Sequence, residues 1–369
     1  MTFDFLLGPA ALGFSQGLLR RLDPTRLCDD CRGLSGTEVN ALGLAYALAA
    51  QGHTVCAWSY WTQEALCRTE KSCVHFLQLT EREHHIARAD VAIAFHDPQP
   101  LRLWQARQKF VWHQTITPPD YLSMRYDTVD GYISATLHNA WWLSRYTPPE
   151  ASWSVIANGW DFGTYCTPAP VPGRLVYHTS PERGLHVLLK AMPLIHARVP
   201  EAHLVIWCRL ETAMEHHRAL WEQIRDGLET CAPYVEVHGQ GGSRNQVLQA
   251  LAQAAVFAYP SEPNMPCEVM PMSVLEACAA GVPVVAAPSD KFEKAFGRAI
   301  DVSPSPPSGH LDAFVDRVCR VLTDPGWALS RRERGQHLAN RLTLDKTASH
   351  LVSLCTRTKR QGRLSARSA

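Results

Sequence analysis

Two carboxylates beside a proline-initiated helix carry the most chemistry in this sequence. Glu268 and Glu276 lie in the stretch YPSEPNMPCEVMPMSVLEACAAGVPVVAAP, positions 259–288. An apolar strand pattern, VFAYP, runs into a loop that holds Glu262 and Glu268. Pro271 then pre-sets the first helical turn, and Gly281 supplies a helix end before the next strand begins at Val282. At such a helix start the backbone N–H groups of Met270, Met272 and Ser273 are free and suit an anion such as phosphate. Glu268, next to Val269 in the preceding loop, can accept hydrogen bonds from hydroxyl groups beside that anion. Glu276, further along the helix, can accept from two neighbouring hydroxyls. The competing reading, two acids on a solvated loop and helix, leaves the proline, glycine and flanking strands in register unexplained. Glu262 reads as an exposed loop acid.

Other polar side chains stand at positions where chemistry is plausible. Arg183 lies in HTSPERGLHVLLKAM with Ser180, in a turn before a helix pattern, and can grip phosphate through two N–H groups. His96 (AIAFHDPQP) and His113 (FVWHQTITPP) each follow an apolar strand pattern, which puts them at strand ends facing an expected cleft. A lone loop histidine is more often structural; as functional groups these two would be proton or hydrogen-bond partners of a substrate. Of 11 tryptophans, eight fall in the first half. Trp58, Trp61 or Trp112 is a candidate aromatic platform for an acceptor, with Trp61 preferred, and the rest read as core.

The elements that must position these groups alternate between strand and helix. Phe3 to Leu7, Thr54 to Ser59, Asp90 to Phe95, Lys109 to His113 and Asp130 to Ser134 read as strands, and Thr37 to Gln51 as an amphipathic helix. A proline-rich segment, TPAPVPG, then marks a linker. The alternation restarts with strands at Arg174, His203, Tyr234, Val256 and Val282. Such alternation implies an α/β fold of doubly wound parallel sheets with helices on both faces. The expected division is 1–165 for the first domain and 166–342 for the second. A C-terminal helix over 343–355 is expected to pack back on the first domain, and 356–369 to form a flexible basic tail. Ligands of open parallel sheets bind beyond the carboxyl ends of the strands, so two such domains are expected to face a cleft that takes two substrates.

Glu268-x7-Glu276 followed by ACAAGVPVV resembles the E-x7-E signature of retaining glycosyltransferases of family 4, which have the GT-B fold. The resemblance covers roughly Ser35 to Leu354 and is strongest over Val256 to Pro288. It implies a nucleotide-sugar donor, UDP- or GDP-linked, with Glu268 on the donor sugar and Glu276 on the ribose. Arg183-Gly184 matches the family's Lys-Gly position on the diphosphate, whereas His178 or Thr179 stands near the place of a second, missing cation. VEVHGQGG resembles the base-contacting strand and loop, which puts His238 and Gly239 near the nucleobase. On the acceptor side, Ser35-Gly36 stands where a Gly-Gly pair is usual, His113 matches the active-site histidine, and His96-Asp97 a neighbouring pair. Asn158-Gly159 with Asp161 resembles a turn before the hinge. The resemblance implies transfer to the hydroxyl of a glycan, lipid-linked or small-molecule acceptor with retention of configuration. With no Asp-x-Asp cluster, neither metal nor other cofactor is expected.

Bulk properties exclude other classes. The formal net charge of +1 over 369 residues gives no basic field for nucleic acid. No apolar run approaches the ~20 residues of a membrane span. The 12 cysteines include one C-x-x-C, Cys28 and Cys31, with no second pair at zinc-ribbon spacing; they read as reduced thiols of a cytoplasmic protein, and no leader peptide is expected. The basic tail carries Arg357, Lys359, Arg360, Arg363 and Arg367 and no acid; beside a solvated end, the alternative is a weak contact with the anionic inner face of a membrane. A nicotinamide oxidoreductase is disfavoured because Gly8 to Gly13 lacks the G-x-G-x-x-G pattern. A non-catalytic nucleotide-sugar-binding subunit, or a hydrolase or epimerase of such sugars, remains the alternative on the same fold.

Overall fold

The computed structural model of the protein describes residues 1–7, 36–59, 65–68, 72–78, 88–102, 104–114, 129–160, 169–210, 213–214, 217–238, 244–260, 269–287, 295–303 and 310–365. The chain forms two compact units. One holds the chain as far as Asp161 together with its return from Leu342, and the other spans Phe162–Arg341.

The first unit is built on eight strands: β1 (Thr2–Leu6), β2 (Thr54–Ser59), β3 (Ala65–Arg68), β4 (Cys73–Gln78), β5 (Arg88–Phe95), β6 (Gln105–His113), β7 (Gly131–Ser134) and β8 (Trp153–Val155). Their order is β3-β4-β2-β1-β5-β6-β7-β8, and each neighbouring pair is parallel except β3 with β4. Central strands such as RADVAIAF are buried along nearly their whole length, the pattern of a sheet covered on both faces. Helix α1 (Gly36–Ala50) follows β1 and α2 (Leu137–Leu143) follows β7. The amphipathic character expected of α1 is replaced by burial on all sides. Val39, Asn40, Ala41 and Leu42 are buried in succession, because the C-terminal helix Leu344–Ser365 covers the face turned away from the sheet.

That C-terminal helix is tied to the end of the first unit. Trp160 donates to Leu342 O at 2.9 Å, and Leu344 N donates back to Trp160 O at 3.1 Å. Thr347 Oγ1 donates to Ala157 O at 3.0 Å. Gly159 sits so close to this return that a Cβ there would lie 2.6 Å from Leu344 N. The helix runs on through Ser365, past the point from which a flexible tail is expected.

The second unit carries β9 (Arg174–Tyr177), β10 (His203–Ile206), β11 (Val235–Val237), β12 (Val256–Tyr259), β13 (Val284–Ala286) and β14 (Asp301–Val302). They lie in the order β11-β10-β9-β12-β13-β14, all parallel. Counted within the unit, this is the doubly wound order 3-2-1-4-5-6, whose direction reverses between β9 and β12. Its helices are α3 (Leu185–Arg198), α4 (Arg218–Cys231), α5 (Arg244–Ala252), α6 (Met272–Ala279), α7 (His310–Thr323) and α8 (Pro325–Ala339). Leu188, Met192 and Ile195 of α3 and Phe314 and Val318 of α7 pack into one buried cluster with Leu175, Leu204 and Val256 of the sheet.

Candidate functional site

In the second unit the Arg183 turn follows β9 and α6 comes after β12, the two strands that flank the reversal point. Tyr177, the last residue of β9, is fully buried and donates its hydroxyl to Ser180 O at 2.7 Å, which folds the chain back over the strand end. Burial holds that phenol well above its usual pKa. Arg183 N closes a single 3-10 turn on Ser180 O at 2.9 Å. Gly184 then takes φ 96°, a left-handed conformation that favours glycine, and α3 starts directly after it. Arg183 is thereby held at the carboxyl end of β9 on a short, constrained turn.

Helix α6 begins on the other side of the reversal. Pro271 is its N-cap residue, and no side chain caps the helix among the described residues. Val269, Met270, Met272 and Ser273 are all under 10% exposed. The first N–H groups of an α-helix have no partner within the helix itself, and the dipole makes an anion a favourable external one. Glu276, one turn further on, is 1% exposed, so its side chain is buried. The helix ends in a Schellman motif: Val282 N bonds Ala277 O at 2.8 Å and Gly281 N bonds Cys278 O at 3.1 Å, with Gly281 at φ 69°. Glu268 and Glu262 lie outside the described residues, as does Gly239.

His238 follows β11 and lies flat on Trp207, ring centroids 4.0 Å apart and planes at 5°. Its Nε2 pairs with Glu236 Oε1 at 2.6 Å. Trp207 was not singled out by sequence reasoning; its place at the end of the strand pattern HLVIWC is the signal that points to it.

The first unit gathers a second set at its own reversal point, between β1 and β5. His96 follows β5 with φ 66°, the only described non-glycine residue in the left-handed region. Its Nε2 lies 3.3 Å from Thr37 Oγ1, in the first turn of α1. His113 ends β6 and is fully buried, its ring 6.5 Å from His96, 6.1 Å from Tyr132 and 5.9 Å from Trp153. Neither ring nitrogen of His113 finds a hydrogen-bond partner among the described residues. Burial, and then the neighbouring His96, push His113 down to about 3; burial alone takes His96 to about 4. Both are therefore neutral imidazoles at physiological pH, able to exchange hydrogen bonds with hydroxyl groups but not to act as cations.

Other expected site residues fall as follows. Gly36 opens α1 and is exposed, whereas Ser35 and Trp61 lie outside the described residues. Trp58 and Trp112 are core residues. Trp58 donates to the buried Asp4 at 3.2 Å, and Trp112 is fully enclosed and stacked on Phe95. Neither offers an open ring face, because both point into packing between sheet and cover. Asn158 is buried, and Gly159 N bonds Asn40 Oδ1 at 3.2 Å, so this turn fastens the end of the first unit to α1.

Residues 171–324 match the family model described as Glycosyl transferases group 1. The second unit carries a glycosyltransferase domain. The whole chain has the GT-B fold. It superposes on the sucrose-phosphate synthase of Thermosynechococcus elongatus with a TM-score of 0.70 at 15% identity, covering 98% of this chain and 100% of that one. AviGT4, a glycosyltransferase involved in avilamycin A biosynthesis, matches with a TM-score of 0.65 at 16% identity over 97% and 98% of the two chains. Anabaena Alr3699/HepE in complex with UDP-glucose matches with a TM-score of 0.64 at 13% identity over 96% and 99%. No curated protein matches by sequence. The Arg183 turn and the α6 start both lie within the residues that the family model matches.

Proposed function

We propose that the chain is a retaining, family-4-type glycosyltransferase that moves a sugar from a UDP- or GDP-sugar to a hydroxyl acceptor without a metal ion. The observation that carries this reading is the buried start of α6, without a side-chain cap among the described residues, after one of the two strands that flank the reversal point, the other of which leads into the Arg183 turn. The E-x7-E resemblance and a fold neighbour crystallised with UDP-glucose support it.

In this mechanism the α6 N–H groups at Met272 and Ser273, with Arg183, hold the diphosphate. Glu276 accepts from the ribose hydroxyls and Glu268 from the sugar hydroxyls. His238 and Trp207 border the base. The acceptor oxygen forms its bond to the anomeric carbon on the face from which the bond to the diphosphate oxygen breaks. The departing phosphate oxygen takes the acceptor proton. Positive charge from Arg183 and the helix start stabilises the negative charge developing on the leaving group. Neutral His113, on the first unit, exchanges hydrogen bonds with hydroxyl groups of the acceptor rather than supplying charge.

Scanning fluorimetry of the purified protein against UDP-, GDP- and ADP-sugars identifies the donor as the one that raises the melting temperature. With that donor and a hydroxyl acceptor, NMR of the product is expected to report the donor's anomeric configuration, and EDTA to leave the rate unchanged. Full turnover by both Glu268→Gln and Glu276→Gln, or an inverted product, refutes the reading.

A further inference from the structure

We propose that the carboxyl end of the first unit's sheet takes an uncharged, hydroxyl-rich group, so that the acceptor carries no phosphate or carboxylate where it meets His96 and His113. That this group is the acceptor rests on the transfer proposed above; the site itself belongs to the first unit. His96 follows β5 and His113 ends β6, and the register of β6 with β7 sets Ser134 beside His113. Asn139, in the first turn of α2, donates its Nδ2 to Ser134 Oγ at 2.9 Å. All four side chains are buried. Among the described residues, both ring nitrogens of His113, His96 Nδ1 and Asn139 Oδ1 nevertheless find no hydrogen-bond partner. Burying one such atom unpaired is costly, so a group of them marks a site whose partners come from a ligand. His96 adds a left-handed backbone, φ 66°, and strain of that kind gathers at ligand sites. A neutral imidazole offers one N–H and one acceptor nitrogen, and an amide oxygen accepts. A hydroxyl, which both donates and accepts, serves all of these atoms.

Charge selects against an anionic occupant. Burial and then His96 act on the protonation of His113, and burial alone on that of His96, so among the described residues no cation acts on either ring. The ionisable side chain next to His96 is an acid, Asp97, and burial holds it above the usual carboxylate range. A phosphate or carboxylate placed here would give up its water with no cation in exchange. It could gain one only by protonating an imidazole, and at about pH 7 a group whose pKa is about 3 resists that by a factor of about 10,000. An uncharged polyol meets the same atoms without that cost.

Saturation-transfer NMR of the full-length protein with matched sugars tests this: glucose, galactose and mannose against their 6-phosphates and uronic acids, each with and without UDP. At least one neutral sugar is expected to bind about tenfold or more tightly than its charged counterparts. His113→Leu is expected to weaken that binding about tenfold or more, the worth of two buried hydrogen bonds. Circular dichroism controls the fold, and His96→Gly, which suits φ 66°, is the second variant if His113→Leu misfolds. The proposal is overturned if a 6-phosphate or uronic acid binds as tightly as its neutral parent, if no neutral sugar binds, or if the folded variant binds as well as wild type. The nucleotide-sugar melting shift is read separately. Its absence, with neutral-sugar binding intact, sinks the transferase reading and leaves the uncharged site standing.

Discussion

His113 makes a quantitative expectation about acid stability. Its folded pKa is about 3 against an ordinary value of 6.5, with burial as the main cause and His96 as the second. Because the folded value is the lower one, the unfolded chain binds the extra proton, and stability is lost as pH falls below about 6.5. At about pH 5 the cost is set by the unfolded value: 1.5 units at about 1.36 kcal/mol each, or about 2 kcal/mol. It hardly depends on the folded value so long as that lies well under 5. His96, taken to about 4, adds a similar amount. Hydrogen exchange read by mass spectrometry on β5 and β6 peptides gives the local opening free energy at about pH 8 and about pH 5, after correction for the intrinsic rate. His113→Gln removes one titration. The wild type is expected to lose about thirtyfold more protection over this interval than the variant, the equivalent of about 2 kcal/mol. An equal loss in both proteins would mean that His113 is solvated and titrates normally, and the neutral-imidazole role would fall with it.

Arg183→Ala is expected to weaken UDP binding by roughly ten- to a hundredfold in calorimetry, the worth of a charge-assisted hydrogen bond. Glu276→Gln is expected to raise the donor Kd by about tenfold, with the fold intact by circular dichroism. Gly159→Ala brings a Cβ within 2.6 Å of Leu344 N, and is expected to lower the melting temperature by several degrees as the C-terminal return is pushed off the end of the first unit. Asp4→Ala strips the Trp58 and Trp104 indoles of their shared acceptor, at 3.2 and 2.7 Å, and is expected to cost about 2 kcal/mol or more in chemical denaturation.

Local signals in the chain determined the strands, the helix starts and the helix ends. Pro271 and Gly281 bracket α6 because a fixed φ and a tolerated left-handed residue act on their own neighbours, and the structure places its cap at those positions. The buried strands VAIAF and VFAY and the turn at Ser180 to Gly184 are legible in the same way. Short elements without a strong period, β3, β4, β8 and β14, are not, since each is held by its neighbours in the sheet rather than by its own composition.

What tertiary structure decided is which distant groups meet. Strand order put the Arg183 turn and the α6 start on either side of one reversal point. Thr37 and His96, 59 residues apart, touch because β1 and β5 are neighbours. His113 became a neutral imidazole because Tyr132 and Trp153 close around it. Trp58 and Trp112, eligible as an open platform by residue type, went instead into the core, and Trp207 went beneath His238. A residue type states what a side chain can do; burial and partners, which depend on the whole packed unit, settle which of those things it does.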